Sequence, residues 1–138
     1  MKRAISVVVS TILIGLMLAG CVTTSGQPEV TFNTTDRGKI RSAIINEFKK
    51  VDFKVFSQNN DVLVLEGRRL GATGAETMHA IFKMETAAES MTAVSIQAFL
   101  KSAASFGRDS YVEDITYSNA GAETLKLLQR AKAQLEAQ

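Results

Sequence analysis

From residue 36 onward the chain moves between the two hydrophobic periods that folded proteins use. Ile40, Ile44 and Phe48 recur every four residues, flanked by Ala43 and Ile45, with Arg41, Asn46, Lys49 and Lys50 among the polar positions. This spacing predicts a helix over 36–50, N-capped by Thr35 or Asp36, with Lys49 and Lys50 at the negative end of its dipole. Gly38 weakens its first turn. The run 53–57, a polar turn through Gln58-Asn59-Asn60-Asp61 and the run 62–67 then read as a hairpin. Val62-Leu63-Val64-Leu65 is apolar on both faces, which suits a central strand covered on both sides, or one whose open face a partner uses.

Strict alternation follows. Met78, Ala80, Phe82 and Met84 fall on one side of a strand over 78–86, with His79, Lys83 and Glu85 on the other, wet side. After a turn at 87–90, Thr92, Val94, Ile96, Ala98 and Leu100 repeat at period two, although Ala93, Ile96, Leu100 and Ala103 also match helical spacing. The β-branched residues and the adjacent antiparallel mate favour a strand. Over 103–119 the pattern loosens: Phe106, Tyr111, Val112, Ile115 and Tyr117 are the expected buried contacts, with a short fifth strand available at 111–117. Leu125, Leu128, Ala131 and Leu135, widened by Leu127, mark a closing helix over 121–136. The expected fold is α+β: an antiparallel sheet of about four strands with an N-terminal and a C-terminal helix on one face.

The N-terminus follows another logic. Met1-Lys2-Arg3 precedes an uncharged apolar run, Ala4–Leu18, which ends in Leu18-Ala19-Gly20-Cys21. A basic start, an apolar middle and small residues at a cleavage point make an export signal. The uncharged stretch Ala4–Val22 also approaches the length of a membrane-spanning anchor. Leu18, Ala19, Gly20 and Cys21 together resemble the lipobox of bacterial prolipoproteins. That resemblance covers residues 1–21 and implies removal of residues 1–20 and acylation of Cys21. One acyl chain gives only marginal binding, at about 0.8 kcal/mol per buried methylene, so two or three are needed for a durable anchor. The resemblance implies that Cys21 is a membrane tether, and since it is the only cysteine no disulfide is expected. By the same resemblance, Val22 in place of an Asp retention signal points to the periplasmic leaflet of the outer membrane.

Three parts follow: a signal at 1–20, a lipidated tether at 21–35 and one α+β domain at 36–138. The tether contains Gly26 and Pro28, with Val30 and Phe32 as its only larger apolar side chains after Val22. The whole chain holds 16 Lys plus Arg against 14 Asp plus Glu, but Lys2 and Arg3 belong to the signal, so the mature part is formally neutral. It lacks the basic footprint of a nucleic-acid binder. The order helix, strands, helix is similar to that of small α+β lipoprotein domains of envelope assembly and transport machines, including the helix-grip type. The similarity is one of fold alone.

Chemistry finds little purchase. With one histidine and its only cysteine assigned to the anchor, the chain offers no obvious nucleophile–base pair or metal cluster, and no catalytic residue, cofactor or metal is expected. His79 reads as a solvated strand residue beside Lys83. Glu85 and Glu89 flank a turn, and Asp109, Glu113 and Asp114 lack the glycine and closing glutamate of a calcium loop. Arg68 and Arg69, set among Gly67, Gly71 and Gly74 in a stretch composed like a mobile surface loop, are the candidate ligand-binding residues, suited to phosphate groups. Two functions follow: a non-catalytic interaction or accessory module of an envelope complex, or a periplasmic binder of a lipid or other amphipathic ligand with Met78, Met84 and Met91 along its pocket.

Overall fold

The structure is a computed structural model that describes residues 26–70, 76–102 and 110–138. The signal, Cys21, the start of the tether, Gly71, Gly74, Phe106 and Asp109 lie outside these residues. The element order is β1 (Glu29–Phe32), α1 (Arg37–Lys49), β2 (Lys54–Gln58), β3 (Val62–Arg68), β4 (Thr77–Ala88), β5 (Met91–Ser102), β6 (Ser110–Asp114) and α2 (Asn119–Glu136).

All pairings are antiparallel, in the order β1-β5-β4-β3-β2, with β6 also paired to β5. β1 takes the stretch of β5 around Thr92–Ser95 and β6 takes Phe99–Ser102, so the two short strands share one edge. The sheet thus has six strands instead of about four. The additional strand at the N-terminus lies inside the stretch expected to be tether. Val30 and Phe32 are buried there, opposite Val94 and Thr92. Four residues form no stable strand alone, and β1 exists because β5 supplies its hydrogen bonds and α2 packs against it.

Register places the core in rows. Leu63, Phe82 and Ile96 are neighbours across β3, β4 and β5, as are Leu65, Ala80 and Ala98. Onto these rows α1 brings Ile40, Ile44 and Phe48, all fully buried, and α2 brings Leu127, Leu128 and Ala131. Each such side chain contributes roughly 1.5–3 kcal/mol, which outweighs the ~1 kcal/mol cost of Gly38 in the first turn of α1. Leu125 and Leu135 are only partly buried, while Ala120, Gly121 and Thr124 complete the inner face of α2. Met78 and Met84 are buried members of this core.

The helix ends have specific locks. Asp36 caps α1 by accepting from Lys39 N at 3.1 Å. At the other end Phe53 N donates to Phe48 O and Asp52 N to Lys49 O, with Asp52 at φ 64°. This is a Schellman closure with an aspartate in the usual glycine position, and the Phe48 and Phe53 rings meet edge-on at 5.4 Å beneath it. Ser118 caps α2 through Gly121 N. Thr116 then extends the edge of β5 by side chain: its Oγ1 accepts from Ala98 N at 3.0 Å and donates to Asp114 Oδ1 at 2.6 Å.

Three of the expected buried contacts are corrected. Tyr111, Val112 and Tyr117 are exposed, and of the described members only Ile115 is buried. The fifth strand spans 110–114 instead of 111–117: Ile115 N still donates to Ala98 O, and Ile115 and Thr116 then turn the chain into α2.

Candidate functional site

Both helices pack on one face of the sheet, and no described helix covers the other. On that open face Glu66, His79 and Phe99 stand side by side on β3, β4 and β5, since Glu66 pairs in register with His79 and His79 with Phe99. The expectation of a solvated His79 is overturned. Alternation does put it opposite the core, yet it is fully buried.

Two edge strands bury it. In β2 the register shifts between Val55 and Ser57, leaving Phe56 as a bulged residue, and its ring lies 4.3 Å from the imidazole. Bulges bend a strand and re-aim a side chain in this way. From the far side, Tyr111 on β6 reaches across Phe99, with ring centres 4.9 Å apart, and its hydroxyl lies 3.1 Å from His79 Nδ1. The result is an aromatic row, Phe56, His79, Tyr111 and Phe99, running across the sheet.

Glu66 organises the polar side of this row. Its Oε2 accepts from Lys101 Nζ at 2.7 Å and from His79 Nε2 at 2.8 Å, and Lys54 Nζ lies 3.9 Å from Oε1. The hydrogen bond from Lys101, then that from His79, hold the Glu66 carboxyl below the usual carboxylate range, against the opposing effect of burial. An ionised Glu66 can only accept, so His79 Nε2–H donates to it, and Nδ1 of a neutral imidazole is then left to accept from the Tyr111 hydroxyl. The order acid, imidazole, hydroxyl is that of a proton relay, with a phenol at its outer end. Lys101 also stands over the Phe56 ring, 4.8 Å from its centre.

The candidate arginines separate. Arg69 Nη1 pairs with Glu76 Oε2 at 3.0 Å. Arg68 instead borders an open groove of about 510 Å³ together with Lys54, Asp52 and Glu66. Two cations there face two carboxylates, so the groove is not a simple phosphate cradle. It shares Glu66 with the aromatic row.

The other acidic candidates also disperse. Glu85 acts on Glu29, whose carboxyl is pushed up by burial first and by the Glu85 charge second. Asp114 is engaged by Thr116 through both backbone N and Oγ1. Among the described residues no group of three His, Cys, Asp or Glu is placed to hold a metal ion, and no described helix is long and apolar enough to cross a membrane.

Sequence reading missed Phe56, Glu66, Phe99, Lys101 and Tyr111 as the neighbours of His79. A signal was present: Glu66 and Phe99 break the expected polarity of their strands at the two positions that register sets beside His79. The class defined by fold and site is an antiparallel α+β domain with two helices on one sheet face and an aromatic, histidine-centred patch on the other. The chain matches no protein-family model and no curated protein.

Proposed function

We propose that this chain is a bacterial envelope lipoprotein, anchored through acyl chains on Cys21 at the periplasmic face of the outer membrane, that acts as a non-catalytic accessory module of an envelope protein complex. The aromatic row on the open sheet face is the observation that carries this reading. Phe56 and Tyr111 are each close to half exposed there, while the polar groups beneath them are paired in advance. Rigid aromatic side chains over a pre-organised network are what protein interfaces use as anchors, because little freedom remains to be lost on binding.

The test is site-specific photocrosslinking in envelopes, with the crosslinker at residue 56 and, as a control, at exposed Gln129 on α2. One defined protein adduct from position 56 that is absent from position 129 supports the reading. Equal or absent adducts at both sites count against it. Full-length protein with Cys21→Ser serves to separate partner binding from anchoring.

A second reading, binding of an amphipathic ligand, has one observation in its favour. A groove of about 510 Å³ opens where Val51, Leu70 and Leu127 meet Asn119, Glu123 and Arg130, combining an apolar floor with a polar rim. Lipid extraction and mass spectrometry of the purified protein would find a stoichiometric ligand if this groove is the working site.

A further inference from the structure

Ile96 N donates to Pro28 O at 3.0 Å and Ile115 N to Ala98 O at 2.8 Å. Residues 26–28 therefore run along β5 in the interval between β1 and β6. At this point the Tyr117 hydroxyl donates to the carbonyl of Gly26. Tyr117 is 74% exposed and Val112, the irregular residue in the pairing of β6 with β5, is 68% exposed. They are the two most exposed large hydrophobic residues among those described, and both belong to the β6 edge and the turn after it, beside which residues 26–28 run.

Chain length states what lies opposite them. Cys21 and Gly26 are five residues apart, a separation that spans at most about 18 Å in any conformation. With Cys21 acylated, its chains lie in the hydrocarbon and the Gly26–Tyr117 corner can stand at most about 10–13 Å beyond the headgroups, a layer roughly 5–8 Å thick in each leaflet. Tyrosine suits that layer, with an apolar ring and a hydroxyl that can stay hydrogen-bonded. Glu113, exposed on the same strand, disfavours an anionic lipid surface and suits a zwitterionic one.

We propose that the β6 edge and the turn after it, through Val112 and Tyr117, form the domain's contact with the bilayer that holds Cys21. The domain then sits with this edge against the headgroups, and Tyr111, on the same strand, is the end of the aromatic row nearest to it. This inference rests on the anchor reading above.

The chain contains no tryptophan, so a single introduced indole reports its own surroundings. Full-length acylated protein would be reconstituted in phosphatidylcholine vesicles as three variants: Tyr117→Trp, Val112→Trp and, on the opposite edge of the sheet, Gln58→Trp. Phosphatidylcholine with brominated acyl chains is the quencher. The expected result is a blue-shifted emission and loss of fluorescence at 112 and 117, with position 58 unaffected. Equal quenching at all three positions, or at none, overturns the inference. A crosslink joining residue 117 of two copies, without quenching, assigns the edge to self-association and also overturns it. Mass spectrometry of the Cys21 peptide in the same samples distinguishes the two failures. An acylated but unquenched protein leaves the anchor reading intact, whereas an unmodified Cys21 removes that reading and this inference together.

Discussion

His79 and Glu66 lie directly opposite each other on paired strands β4 and β3, and a 2.8 Å hydrogen bond from Nε2 to Oε2 joins them. The only histidine of the chain is thereby held with its Nε2–H on Glu66, on a face that no described helix protects. Lys101 shares the same carboxylate oxygen, at 2.7 Å. The Glu66 carboxyl is depressed first by the bond from Lys101 and then by that from His79, so its stabilising contribution is present above the ordinary carboxylate pKa. That contribution is lost as pH falls through the lowered folded value. Glu66→Gln should therefore cost about 1–3 kcal/mol at neutral pH and much less in acid. Urea unfolding of both proteins across this range checks it, and a difference that does not shrink in acid would refute the assignment.

Tyr111→Phe removes the only described partner of His79 Nδ1 while leaving the ring in place. The expected loss is about 0.5–1.5 kcal/mol, the usual net value of one hydrogen bond. In a His79→Gln background the same change should cost less, and a double-mutant cycle by chemical denaturation measures the coupling.

Gly67 faces Phe53. A Cβ at position 67 would come within 2.5 Å of the ring's Cδ2, and Phe53 is buried against Phe48 with little room to withdraw. Gly67→Ala should destabilise by about 1–3 kcal/mol through overpacking. Phe53→Leu in the same chain should recover part of that loss, which thermal unfolding of the two single variants and the double variant would show.

Two helical glycines should respond in opposite directions. At Gly121 a Cβ would overlap the carbonyl oxygen of Thr116, which is backbone and cannot swing away, so Gly121→Ala should cost about 2 kcal/mol or more despite its better helix propensity. At Gly38 the nearest atom is Asp36 Oδ1 at 3.3 Å, the end of a side chain that has to yield only a few tenths of an ångström while keeping its bond from Lys39 N, so Gly38→Ala should gain up to roughly 0.5 kcal/mol. Differential scanning calorimetry should place the two melting temperatures on opposite sides of the parent's.

Asp52 occupies left-handed backbone, at φ 64°. Asp52→Gly should stabilise by roughly 0.5 kcal/mol, and Asp52→Val should destabilise by about 1–2 kcal/mol, since a branched Cβ crowds that conformation. Guanidinium midpoints for the two variants check the sign of each.

Much of this architecture was legible in residue order. The spacing of Ile40, Ile44 and Phe48 with Asp36 before them marks α1 nearly to its ends, and the alternation from Met78 to Met84 marks β4 and its inner face. The competing helical spacing over 92–102 loses to a strand because β4 is present as a mate along almost its whole length. These features depend on local periods and near neighbours, which a sequence displays directly.

By itself, then, the sequence determined the two helices, the β2–β3 and β4–β5 hairpins, and the side of β4 and of β5 that meets the core. Tertiary structure alone decided the rest. β1 is a strand only because β5 offers it an edge, and Tyr117 is exposed because Ile115 and Thr116 turn the chain toward α2. His79 is buried because a bulge in β2 and the placement of β6 bring Phe56 and Tyr111 over it from opposite sides. Period two states which side of a sheet a residue faces, but whether that side is wet depends on strands far away in sequence, whose arrival no local pattern encodes.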